Sequence, residues 1–253
     1  MTIEPLLKIN SDSGIPANPI EPSYPGVSLD VLGVKPGMSL DAARKVLIAN
    51  YHSKPTSQSG QLSLTYKSVN MTSQPFVTSL TVSDKQGGSM TVYFGTSATG
   101  NKVVEVDRVL VFPDPKSAPT VAAVRAALDK KYGPETKTEL DEYEDWLFWS
   151  FGKTGHASSC SKKRQCDFAN GAPQCSGSTY AIYNKEMSSG DYVYIQVGLS
   201  KSGQDTSRSS KLTIFLSDQA DKYISCNAAS KQIHAAAVAA YKKESTPGAV
   251  PKL

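Results

Sequence analysis

The sequence predicts an α+β protein: a tandem repeat of a helix packed on a four-stranded antiparallel sheet, closed by a C-terminal helix. Three observations carry this. Runs with apolar residues at alternate positions follow one another between turn residues, the signature of an antiparallel meander. Two segments with helical periodicity, Ser39 to Tyr51 and Thr120 to Tyr132, align without a gap. A similar order of strand-like runs follows each, as a repeated unit requires.

The first unit opens in the stretch GVKPGMSLDAARKVL, Gly33 to Leu47. A Pro-Gly turn delivers the chain to Ser39, an N-cap residue type, with Asp41 in the first turn where a carboxylate suits the helix dipole. Leu40, Ala43, Val46 and Leu47 share one helical face, Tyr51 extends it, and Pro55 follows the end. The glycines at 33 and 37 complete neither G-x-G-x-x-G nor G-x-x-x-x-G-K-[ST], so this is a turn and not a phosphate loop. Strands are expected around Leu62, Leu64 and Tyr66, from Phe76 to Val82, at Met90, Val92 and Phe94, and along KVVEVDRVLVF up to Pro113.

The pattern then restarts. Ala42 aligns with Ala123, Arg44 with Arg125, Leu47 with Leu128 and Tyr51 with Tyr132, and the cap serine faces Thr120. The second helix starts beside Pro119 and stops at Gly133-Pro134. Strands follow in DEYEDWLFWSFG, STYAIYN, DYVYIQVGLS and KLTIFLSD, and SKQIHAAAVAAYKKES forms the last helix. The expected organisation is an extended Pro-rich linker over 1–26, a first module over 27–116, a second over 117–245 that contains a cysteine-rich loop at 153–178, and a tail from 246 to 253.

Composition narrows the function classes. Apolar residues make up 39% and aromatics 8% of 253 residues, enough for a packed core. A net charge of +4 with no Lys/Arg-rich arm argues against a nucleic-acid partner. No apolar run reaches the roughly 18 residues of a membrane span. The first residues lack a basic stretch followed by an apolar core, so they do not read as a signal peptide.

Cys160, Cys166 and Cys175 share one short polar segment, and Cys226 lies far downstream. An even cysteine count in a loop rich in Gly, Pro and Ser points to disulfides and to a periplasmic or extracellular setting, with the signal peptide absent from this sequence. The gaps between cysteines do not build the C-x2–4-C knuckles of structural zinc, so no metal is expected. Four cysteines allow three pairings; the favoured one closes Cys160–Cys166 as a small ring and ties Cys175 to Cys226.

The phrases LGVKPGMSLDAARKVL and ALDKKYGPE resemble the helix start and Tyr-Gly-Pro-type exit of small outer-membrane-assembly lipoproteins and β-lactamase-inhibitor-protein-like domains of bacterial envelopes. The likeness covers about thirty residues of motif, plus the element order from Gly26 to Tyr241. It implies a non-catalytic binding protein of the envelope, whose sheets present a surface to a protein partner. It carries over no individual binding residues.

Candidates for chemistry are few. The histidines at 52, 156 and 234 form no H-E-x-x-H. His52 reads as a helix-end residue, and His156 near Cys160 reads as a loop histidine, with a Cys–His nucleophile pair as the enzymatic alternative. No G-x-S-x-G elbow occurs. The acidic run Glu139, Asp141, Glu142, Glu144 and Asp145 reads as a solvated edge rather than an acid–base pair. No catalytic residue and no cofactor is therefore expected.

Binding candidates are Trp146 and Trp149: one aromatic set is expected in the core, and the other either packs in the core as well or stands at a recognition face. Lys162, Lys163 and Arg164 are the others: three cations that a Cys160–Cys166 ring would hold at low ordering cost, aimed at an acidic protein, a lipid headgroup or an anionic glycan. Asn70-Met71-Thr72 matches a glycosylation sequon, relevant only in a eukaryotic secretory pathway. The functional expectation is an inhibitor-type or assembly-type binding protein. A toxin-neutralising immunity protein, and a hydrolase or thiol enzyme using His156 and a cysteine, are the alternatives.

Overall fold

The computed structural model describes residues 27–152, 155–156, 175, 191–203 and 205–245. The chain runs α1 (Leu40–Tyr51), β1 (Thr56–Gly60), β2 (Ser63–Tyr66), β3 (Val69–Thr72), β4 (Phe76–Ser83), β5 (Ser89–Phe94) and β6 (Val103–Val111). It continues through α2 (Val121–Tyr132), β7 (Lys137–Leu140), β8 (Glu144–Gly152), β9 (Gly155–His156), β10 (Asp191–Lys201), β11 (Ser209–Asp218) and α3 (Gln219–Ser245). This is an α+β fold with one large antiparallel sheet and a C-terminal helix.

The sheet order is β1-β4-β5-β6-β11-β10-β8-β7, with β9 paired to β8, and β2-β3 forms a separate hairpin. Each half of the chain thus supplies four neighbouring strands. The two sets are fused edge to edge where β6 pairs with β11, from Lys211↔Val111 to Ser217↔Glu105. The sequence reading did not foresee this seam, because alternation identifies strands without saying which edges meet. The STYAIYN strand lies outside the described residues.

Both short helices form for the reasons their sequences give. Ser39 Oγ accepts from Ala42 N–H at 3.3 Å, and Thr120 Oγ1 accepts from Ala123 N–H at 3.2 Å. Such caps are worth about 1 kcal/mol each. The chain before each helix is also tethered alike: Val103 N–H donates to Met38 O at 2.8 Å and Ser209 N–H to Pro119 O at 3.0 Å. His52 is the C-cap of α1, left-handed at φ 48°, as its helix-end position suggested.

The core lies between these helices and one face of the sheet. A cross-strand row of Leu80, Val92, Val106, Leu216, Ile195 and Trp149 is fully buried beneath Ala43, Leu47, Leu128 and Tyr132. A second cluster packs the β2-β3 hairpin on α3 through Leu62, Leu64, Phe76, Ile233 and Ala237, and contains the Cys175–Cys226 disulfide.

Helix α3 begins at Gln219, well ahead of the Ser230 start that SKQIHAAAVAAYKKES suggests. Its first turns, Gln219 to Cys226, are buried throughout, so no apolar stripe marks them in the sequence. Asp218 Oδ1 accepts from Asp221 N–H at 2.9 Å and anchors the start. Gly95 lets the chain approach α3 here: a Cβ at this position would sit 2.8 Å from Ser225 Oγ, which itself accepts from Thr96 N–H at 2.6 Å.

Candidate functional site

The sheet face turned away from α1 and α2 is the candidate site. Strand alternation that buries Val106, Leu216 and Ile195 on one side must turn Asp107, Phe215 and Gln196 to the other. The register gives one continuous row across eight strands: Thr56, Thr81, Thr91, Asp107, Phe215, Gln196, Phe148 and Lys137. Thr81, Thr91, Asp107, Phe215, Gln196 and Lys137 are all half-buried. Thr81 Oγ1 and Thr91 Oγ1 are 3.1 Å apart, and Lys137 Nζ lies 5.3 Å from the Phe148 ring centroid. The row is a rigid strip of hydroxyl, carboxylate, amide and aromatic groups.

The flanking row holds Glu139, Trp146, Gly198, Thr213 and Val109. Gly198 is required here by contact rather than by a turn. A Cβ on it would meet the Trp146 ring at 2.9 Å, so the indole lies flat across the neighbouring strand and remains half-buried.

Towards α3 this face becomes acidic and closed. Glu105, fully buried, pairs with Lys222. Burial pushes the Asp107 carboxyl up to about 6, helped by the negative charge of Glu105 and opposed by Lys211. Burial likewise raises Asp218 well above the usual carboxylate range, and Asp221 beside it adds to the effect. The Tyr93 hydroxyl shifts upward through burial and then Asp107 and Glu105. Burial lowers the Lys222 ammonium, against the pull of Glu105.

The structure separates the two tryptophans. Trp149 belongs wholly to the core, where its Nε1–H donates to Gly133 O at 2.7 Å and its ring meets Tyr132 edge-on at 5.7 Å. Trp146 stands on the outer face. Trp149 and Phe151 are therefore closed off, and on the other face Phe148 is buried as well, so of these four rings Trp146 alone is half-open. Lys162, Lys163 and Arg164 lie outside the described residues, as do Cys160 and Cys166. Cys175 and Cys226 are bonded to each other, the favoured pairing for those two, and so neither is a free nucleophile. His156 pairs through its backbone with Phe151.

The acidic run does not converge. Glu139 pairs with Lys137, Glu144 accepts from Ser200 Oγ at 3.1 Å, and Asp145 pairs with Lys201 at 2.8 Å on the opposite face of the strand from Trp146. Asp141 accepts from Tyr143 N–H in the turn. Among the described residues no group of three or more His, Cys, Asp or Glu side chains is placed to hold a metal, and no helix is long and apolar enough to cross a membrane.

Sequence reasoning did not single out Asp107, Phe215 or Gln196. The alternation in VEVDRVLV carried the signal, since it puts Glu105 and Asp107 together on one face of a strand whose other face is apolar. No family model, curated protein or solved structure matches this chain.

Proposed function

We propose that the protein is a non-catalytic binding protein that offers its outer sheet face to a protein partner, as an inhibitor or an assembly factor does. The observation that carries this is the Thr56–Lys137 row: eight strands present a half-open strip of mixed chemistry, fixed by a core on the reverse side. Trp and Phe give such surfaces their anchors, and hydroxyl and amide groups give them specificity. Rigid strands hold these groups in place before a partner arrives, which lowers the cost of association.

Two further readings support the proposal. The paired caps at Ser39 and Thr120, and the paired tethers Val103–Met38 and Ser209–Pro119, fit a duplicated helix-plus-four-strand module. A duplicated module is scaffold and contact area. The Cys175–Cys226 bond fits an oxidising compartment, periplasmic or extracellular. Lys162, Lys163 and Arg164 remain candidate contacts on sequence grounds alone.

Affinity capture from an envelope extract, run beside a chromogenic ester assay, tests the reading. A saturable complex with no ester turnover is the expected result. Ester turnover without any stable complex would overturn it.

A further inference from the structure

A second feature lies on the opposite side of the molecule from the proposed partner surface, and is independent of it. Between α2 and strands β6 and β11 runs a groove of about 410 Å³, walled by Val124, Leu128, Leu212 and Ile214 and by the Val31-Leu32 loop. Arg108 also lines it. In the sheet register Arg108 sits between Met90 and Ile214, in a helix-side row completed by Val82, Val197 and Leu147. It is the single charged group of this row, which is otherwise apolar from Val82 to Leu147 and ends on Thr138.

Arg108 is half-buried, its Nε is shielded from solvent without a hydrogen-bond partner, and it forms no ion pair among the described residues. Asp30, just before the Val31-Leu32 loop, is already committed. Asp30 pairs with Lys131 at 3.1 Å and accepts from Gly33 N–H at 2.8 Å, while its carbonyl accepts from Tyr132 Oη–H at 2.9 Å. A guanidinium set half-buried in an apolar wall is less well solvated than one in open water, and one anion of matching shape offsets that loss. A guanidinium fork matches a carboxylate with two parallel N–H···O bonds.

We propose that this groove binds an acyl carboxylate: one carboxylate on the Arg108 guanidinium, and an unbranched apolar chain laid along Leu128, Leu212 and Ile214. Lys131, the other cation of the lining, is paired with Asp30, so Arg108 calls for one negative charge, and the apolar walls disfavour polyanions. At ~30 Å³ for each group of water size, the groove holds about a dozen non-hydrogen atoms. Decanoate has that size.

Isothermal titration of the full chain with decanoate, 1-decanol, decylammonium and the free-acid peptide Gly-Leu-Leu tests the assignment. Decanoate is expected to bind at one site, at least tenfold tighter than the alcohol or the ammonium. Arg108→Met, which continues the apolar row, is expected to weaken decanoate at least tenfold and leave 1-decanol unchanged. Ala127→Phe, at an exposed position of α2 beside the groove, is expected to abolish binding with circular dichroism unaltered, which keeps the test decisive if Arg108→Met does not fold. Equal affinity for decanoate and 1-decanol, unchanged binding in Ala127→Phe, or tighter binding of the peptide than of decanoate would each overturn the proposal.

Discussion

Lys222 Nζ lies 2.5 Å from Glu105 Oε2, and both side chains are shut off from solvent. The pair bolts the first turn of α3 to the start of β6, at the seam where the two halves of the sheet meet. Burying either charge alone is far more costly than burying both together. Lys222→Met is therefore expected to destabilise the fold by about 3–5 kcal/mol. Replacing both partners, Lys222→Met with Glu105→Leu, is expected to recover most of that loss. Urea denaturation of the two variants measures it, and equal instability of both would show that the pair does not act as a unit.

The Asp107 carboxyl titrates at about 6, raised by burial first and by Glu105 second. In the unfolded chain an aspartate loses its proton near 3.9. The folded state thus holds a proton that the unfolded state has released, so this group's contribution to stability falls between about pH 4 and 6 and stays low above. Asp107→Asn keeps the shape and removes the charge. Its melting temperature is expected to match the parent at pH 4 and to exceed it by a few degrees at pH 8. A gain at pH 4 equal to that at pH 8 would remove the titration argument.

The Cys175–Cys226 bond closes a loop with a sequence separation of 51. Chain-entropy reasoning gives such a crosslink about 4 kcal/mol, and observed values run to somewhat less. Cys226→Ala with Cys175→Ala is expected to lower the unfolding free energy by about 2–4 kcal/mol, read from denaturant curves against the parent. Because α3 and the β2-β3 hairpin share this cluster, exchange at Leu64 and Val69 amides should accelerate more than exchange at Val106.

Gly198→Ala sets a methyl group against the Trp146 ring. The expected cost is about 1–3 kcal/mol, with an emission change from a displaced indole. In a Trp146→Leu background the same substitution is expected to cost little. A cost that persists there would place the constraint in the backbone and not in the ring.

Much of the fold was legible from local rules. Ser39 and Thr120 cap their helices because a hydroxyl at that position has an N–H to receive, and the alternation at Met90, Val92 and Phe94 follows from the strand period itself. The β6–β11 seam was not legible, since edge pairing depends on two strands distant in sequence. Nor was the start of α3: Gln219 to Cys226 is buried on all sides and carries polar residues, among them Lys222 and Ser225, that meet tertiary partners in Glu105 and Thr96. The roles of Trp146 and Trp149 separated only once register assigned each a face. Arg108 could have been noticed as the odd charge on the Val106 side of its strand, yet only the groove beside it gives that position meaning.

The central claim is that the outer row from Thr56 to Lys137 is the working surface. The most direct test compares the affinity of the captured partner for the parent and for Phe215→Glu combined with Thr91→Arg, two half-buried positions at the middle of the row. The account predicts at least a hundredfold loss of affinity with the melting temperature held within a few degrees, and no loss for Ala127→Phe on the other side. Undiminished affinity in the double variant would contradict it.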